Sequence, residues 1–171
     1  MVKNIPINED LTIKTVAYDL EVAKVVLMGV PDVPGVAGRL FTNLSERGVD
    51  AEMIIQNNMR GGLNDIGFLV RKESLDGAID VCRDFSRDVD AQGVSFNTEI
   101  ARISVLGVDT DDHPDIPRMF TALAKEVFTT LAKEGINIDM ISSTGLTVNC
   151  VVAASRAGDA ARALREYIEM V

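Results

Sequence analysis

The chain has 171 residues, 47% of them hydrophobic and 25% charged, which suits one ordinary domain or two small ones with a real core. Seventeen Lys and Arg against 26 Asp and Glu give a net charge of −9, a balance that repels phosphate backbones and anionic bilayers and argues against nucleic acid and membrane as partners. No apolar run approaches the ~18 residues of a spanning helix, and the start of the chain lacks a signal-peptide core, which places the protein in the cytoplasm. Cys82 and Cys150 are isolated and read as small buried hydrophobes, and His113 is the only histidine. With no Cys/His cluster and no spacing for a triad, zinc sites and self-sufficient hydrolytic catalysis are excluded, and no metal or cofactor is expected.

Lys24–Val30 is a short apolar run suited to a buried strand, followed by turn chemistry at Pro31-Asp-Val-Pro-Gly35. Val36, Leu40, Phe41, Leu44 and Val49 mark one face of a helix that Gly48 stops. Residues 51–56 read as a strand, 57–62 as a hairpin turn with Arg60-Gly61-Gly62 at its tip, and 63–70 as the return strand. A helix over 74–85 carries Leu75, Ala78, Ile79 and Cys82 inward, and 93–97 forms a last strand. The order is β-α-β-β-α-β.

The second half repeats it. A strand at 101–108 puts Gly107 where Gly29 stood, an acidic loop with His113-Pro114 precedes a helix, and Gly135-Ile-Asn-Ile-Asp-Met-Ile141 answers Gly48-Val-Asp-Ala-Glu-Met-Ile54. A turn at 142–145, a strand at 146–153 and a helix at 158–170 complete it. The expected fold is α+β: two ferredoxin-like βαββαβ units with antiparallel sheets and helices on one face, over 20–98 and 99–171. The second unit ends on a helix without a last strand, whereas Ile13-Lys-Thr-Val-Ala-Tyr18 has good strand composition and precedes the first. The segment 12–18 is therefore expected to complete the second unit, with the first inserted within it.

The helix of the second unit is longer. Phe120-Thr-Ala-Leu-Ala-Lys-Glu126 is echoed by Phe128-Thr-Thr-Leu-Ala-Lys-Glu134. Seven extra residues add about two helical turns and rotate the buried face by only ~20°, so a longer helix can keep its stripe.

Function centres on the turn Gly29-Val-Pro-Asp-Val-Pro-Gly-Val-Ala37. Free N–H groups at the helix start can hold a carboxylate, and Asp32 can accept an ammonium, which together suit a zwitterionic amino acid. The same residues can equally be a plain helix cap. Asp109, Asp111, Asp112 and Asp115 cluster before the second unit's helix, but an EF-hand would need Gly and Glu where Pro114 and Phe120 stand, so an acidic helix start is expected.

Val26-Leu-Met-Gly-Val-Pro-Asp-Val-Pro-Gly-Val-Ala-Gly-Arg-Leu-Phe-Thr-Asn-Leu44 with Gly48–Asn57 resembles the first ACT repeat of aspartate kinases. Ala101–Gly107, His113-Pro114 and Gly135–Ser142 resemble the second. The family's kinase domain has no counterpart here, so the resemblance is to its regulatory region or β subunit, without catalytic activity of its own. It implies feedback control of the phosphotransfer from ATP to L-aspartate that opens lysine and threonine biosynthesis, in a homodimer joined through ACT units and working on a kinase catalytic chain or α subunit. The implied effector site uses Asp32, Gly35, Val36, Ala37 and Gln56, closed by Asn137 and Ile138 from the second unit of a partner copy, with threonine the first choice and lysine the other. The family's usual glycine after His-Pro is Asp115 here, and the turn after Ile141 reads Ser142-Ser-Thr-Gly145, which leaves Ser142 and Ser143 as the candidates for a second effector site. A stand-alone amino-acid sensor and a small ferredoxin-like enzyme are the competing classes; the latter lacks an acid/base pair.

Overall fold

The structure, a computed structural model, describes residues 5–8, 11–58, 61–109 and 116–170. The chain divides into two compact units, one of Glu21–Glu99 and one built from the segments on either side of it.

In the 21–99 unit, β3 (Val22–Pro31) leads to α1 (Val36–Glu46), β4 (Glu52–Asn58) and β5 (Leu63–Arg71) form a hairpin, and α2 (Leu75–Asp88) leads to β6 (Gly93–Asn97). The sheet order β4-β5-β3-β6 is antiparallel throughout. Period-two alternation along β3 sends Val25 and Leu27 into the core and leaves Lys24 and Val26 half-buried on the other face. Both helices lie on the core face. Leu40 and Leu44 from α1 and Ala78, Cys82 and Phe85 from α2 pack with Phe68 and Val70 from β5. Each large aliphatic side chain buried there contributes about 1.5–3 kcal/mol. Phe41 meets Phe68 edge-on at 5.6 Å between ring centroids.

The split unit has the same topology in permuted form. β7 (Ile100–Asp109), α3 (Ile116–Lys133), β8 (Met140–Thr144), β9 (Thr147–Ala153) and α4 (Ala157–Met170) follow one another, and the preceding strands β1 (Ile5–Asn8) and β2 (Leu11–Asp19) join the same sheet in the order β1-β2-β7-β9-β8. β2 lies antiparallel on β7, in the slot that β6 holds beside β3 in the other unit. Its Ile13 and Val16 enter a core with Ile103, Leu123, Val127, Leu131, Cys150 and Leu164. Two polar ties hold it as well: Arg165 donates from its guanidinium to the Val16 carbonyl at 2.9 Å, and Arg102 pairs with Asp19 at 3.3 Å.

α3 has 18 residues against the 11 of α1, a difference of 18 − 11 = 7. The buried stripe survives the insertion, because Met119, Leu123, Val127 and Leu131 recur every fourth residue. The two helices also end alike. Gly48 (φ 69°) and Gly135 (φ 63°) take the left-handed conformation, and the amides of Val49 and Ile136 reach back to the carbonyls of Leu44 and Leu131 at 3.0 and 2.9 Å.

Two turns differ from the sequence expectation. β4 continues to Asn58, where Asn57 and Asn58 pair with Asp65 and Asn64, so the turn over 57–62 starts later. Ser142, Ser143 and Thr144 are not a turn but the end of β8, paired with Asn149, Val148 and Thr147 across a two-residue connection at Gly145-Leu146. In both places a polar run that favours turns is overridden by the backbone ladder of an edge strand. Arg60 and the acidic loop with Asp111, Asp112, His113, Pro114 and Asp115 lie outside the described residues.

Cys82 and Cys150 are both buried free thiols in the cores of their own units, and burial pushes each up to about 12. Among the described residues no helix is long and apolar enough to cross a membrane, and no three His, Cys, Asp or Glu side chains gather as a metal site.

Candidate functional site

The end of β3 sets the geometry of the Pro31–Gly35 turn. Gly29 takes φ 62° in an irregularity of the β3–β5 pairing, and its amide is held by the Asp65 carboxylate at 2.8 Å, 36 residues away. Beyond this irregularity Val30 and Pro31 stay paired with Asn64 and Leu63 of β5, which carries the strand to the turn. The Asp32 amide then donates to the Gly62 carbonyl at 2.8 Å, which ties the turn to the start of β5. Gly35 at φ 91° makes the entry into α1, a conformation that costs an L-residue ~1–2 kcal/mol.

The start of α1 is open. Gly35 provides no side-chain cap, and the first intrahelical bond runs from the Arg39 amide to the Gly35 carbonyl at 3.0 Å. The amides of Ala37 and Gly38 therefore have no acceptor within the helix, and the positive end of the helix dipole adds to their pull on an anion.

A pocket of about 410 Å³ lies at this helix start, lined by residues that include Asp32, Gly35, Val36, Ala37 and Gln56. The five residues proposed from the first unit thus share one cavity, whose lining includes both a carboxylate and the residues of the open helix start. Val36 is buried and forms the floor, while Asp32 and Gln56 are exposed to an incoming ligand. Asn137 is exposed and Ile138 half-buried in the loop before β8; they belong to the split unit and do not line this pocket. Ser142 and Ser143 lie in β8, the first half-buried and the second exposed.

Two residues of the pocket, Asn64 and Ile66, were missed from sequence. Ile66 is an ordinary core position of β5. Asn64 is 4% exposed and donates from Nδ2 to Asp32 Oδ1 at 2.9 Å, while its own side-chain oxygen accepts no hydrogen bond. The available signal was a buried-phase polar residue in the alternating run of β5.

Two ferredoxin-like βαββαβ units, one of them carrying an open helix start over a small polar pocket, define the class of domain. A family model described as ACT domain matches residues 103–167. An aspartate kinase of Pseudomonas fluorescens is 32% identical over 162 residues, covering 95% of this chain and 38% of that protein. The ligand-free regulatory subunit of aspartate kinase from Thermus thermophilus has a TM-score of 0.77 at 28% identity, over 90% of this chain and 97% of that one. A structure of aspartokinase alpha and beta subunits gives a TM-score of 0.77 at 27% identity, with coverage of 90% and 97%. The chain is thus a homologue of aspartate kinases, with an ACT domain over residues 103–167, and is similar over most of its length to the regulatory subunit of that enzyme. It spans 38% of the length of the curated relative it matches in Pseudomonas fluorescens.

Proposed function

We propose that the chain binds an end-product amino acid, threonine first and lysine as the other choice, and through it exerts feedback inhibition on an aspartate kinase catalytic chain or α subunit. The observation that carries the proposal is that one pocket is lined by Asp32 and by the residues at the open N-terminus of α1. Asp32 would take the ammonium, the Ala37 and Gly38 amides the carboxylate, and Gln56 a polar group of the side chain. Asn137 and Ile138 of a second copy would close the pocket, so that the effector sits at an ACT–ACT interface of a homodimer. An effector shifts the kinase only by binding one packing of the dimer better than the other. Chemistry on aspartate and ATP would belong to the catalytic chain.

Threonine at 100 times its dissociation constant is expected to stabilise the chain by about 2.7 kcal/mol. Thermal unfolding with threonine, lysine, both or neither tests this, and superimposable curves at millimolar ligand would overturn it. By isothermal titration, Asp32→Ala is expected to weaken binding at least tenfold.

A further inference from the structure

We propose that Asn64 and Asp32 form one two-acceptor receptor for the ligand's ammonium, with Asn64 acting both as the residue that positions Asp32 and as the second acceptor. The inference rests on the reading of the pocket as an amino-acid site and assigns to it a residue that reading does not use.

The geometry fixes the orientation of the Asn64 amide. A carboxylate can only accept, so the group 2.9 Å from Asp32 Oδ1 must be the NH2 of Asn64, and the amide oxygen is turned away from that carboxylate oxygen. That oxygen has no hydrogen-bond partner although it is buried. An acceptor sealed from water without a donor is costly, and native folds rarely retain one without a use. Backbone pairing fixes its position from both sides, since Asn64 is in register with Val30 of β3 and with Asn58 of β4. The side chain also lines the pocket that holds Asp32. The orphaned oxygen is covered in the ligand-free arrangement, so binding includes a turn of the Asn64 side chain toward the pocket; an ammonium on Asp32 carries three N–H donors and then satisfies the carboxylate and the amide oxygen together. A ligand anchored only by a carboxylate cannot.

The split unit supports the assignment by contrast. Val25 pairs with Phe68, and its counterpart Ile103 pairs with Cys150. Four residues before Phe68 stands Asn64, and four before Cys150 stands Leu146, an apolar side chain. The corresponding position of the split unit thus carries an apolar side chain, half-buried in the connection between β8 and β9 and packed against that unit's core, so the matching place in the repeat does not call for an amide.

The test is Asn64→Leu in the full chain, measured by thermal unfolding without ligand and by titration with threonine and with lysine. The expected result separates stability from binding. The ligand-free melting temperature stays level or rises, because an unsatisfied buried acceptor is gone, while affinity for the ligand that the unaltered chain binds falls at least tenfold. Asn64→Thr, smaller and still able to donate and accept, is expected to fall between, and it serves if the leucine variant does not fold. Asp32→Ala/Asn64→Leu is expected to bind no more weakly than Asp32→Ala alone, since the two act as a unit. Equal affinity in the unaltered chain and in Asn64→Leu, or Asn64→Thr if leucine does not fold, overturns the role of Asn64 and leaves the amino-acid site standing. Failure of the unaltered chain to bind either amino acid overturns both.

Discussion

Gly35 and Gly38 lie three residues apart at the start of the same helix, yet replacing each with alanine should move stability in opposite directions. At Gly35 a new Cβ meets nothing within 4 Å, so there is no clash, only the left-handed φ of 91°. That conformation costs an alanine ~1–2 kcal/mol, while the loss of backbone freedom in the unfolded chain returns ~0.4–1 kcal/mol. The net expectation for Gly35→Ala is a loss of about 0.5–1.5 kcal/mol. At Gly38 a Cβ again meets nothing within 4 Å, but the residue sits inside α1. Only the favourable term remains there, and Gly38→Ala should gain about 0.4–1 kcal/mol. Urea denaturation resolves the difference, provided the m-values agree. Ligand titration adds a second readout. Gly38→Ala keeps its amide and should bind threonine as before, whereas Gly35→Ala must shift the turn and should weaken binding. If both variants move stability the same way, the left-handed entry into α1 is wrong, and with it the open helix start on which the site depends.

Ile13→Ala is expected to cost about 2–5 kcal/mol in urea denaturation, because Ile13 is buried in the core of the split unit; a loss well under 1 kcal/mol would mean that β2 is a loose tail rather than the strand that completes the sheet. Both cysteines should resist a thiol reagent at pH 8 in the folded chain and react on unfolding. Their folded values near 12 lie above the ordinary thiol value of 9.0, so the stability they contribute is complete below pH 9 and is lost as pH rises toward 12. In that window each thiol removes about 1.4 kcal/mol per pH unit, and a flat stability profile there would contradict their burial.

The parts of the fold legible in sequence were those written in periodicity. The stripe of α1 at Val36, Leu40 and Leu44 and the alternation of β3 both follow from which side chains leave water. The lengthened helix was legible for the same reason, since seven residues return the stripe to the same face. The polar ends of the edge strands β4 and β8 were not. Asn57, Asn58, Ser142 and Ser143 carry turn-forming side chains, and what holds them extended is hydrogen bonding to β5 and β9, to which their own polarity gives no clue. Within the site, Asp32, Gly35 and Gln56 stood out through a motif. Asn64 did not, because its meaning comes from Asp32, 32 residues away. The Asp65 carboxylate that holds the Gly29 amide was hidden in the same way, by a separation of 36 residues.

Duplication copied the scaffold of the site more faithfully than its chemistry. Gly107 stands where Gly29 stands, but its amide donates to the Leu146 backbone carbonyl at 2.8 Å, whereas the Gly29 amide donates to the Asp65 side chain at the same distance. A backbone acceptor closes the bend in the split unit, so that unit needs no aspartate, and Thr147 follows Leu146 where Asp65 follows Asn64. Counting from the matched methionines, Met53 and Met140, places Ser143 opposite Gln56. The split unit thus keeps the helix but replaces the buried amide with a leucine, the aspartate that follows it with a threonine, and the long polar arm with a serine. The seven added residues of α3 act in the same direction, since they start that helix about two turns earlier, ~10 Å further along its axis, and Pro117 in its first turn has no N–H to offer an anion. Anion-binding amides and an ammonium receptor serve a zwitterion only when they are spaced to meet both of its ends. In the 21–99 unit that spacing is set by the polar bonds between Gly29 and Asp65 and between Asp32 and Asn64, whereas in the split unit the Gly107 amide is held by a backbone carbonyl and a leucine stands in place of Asn64.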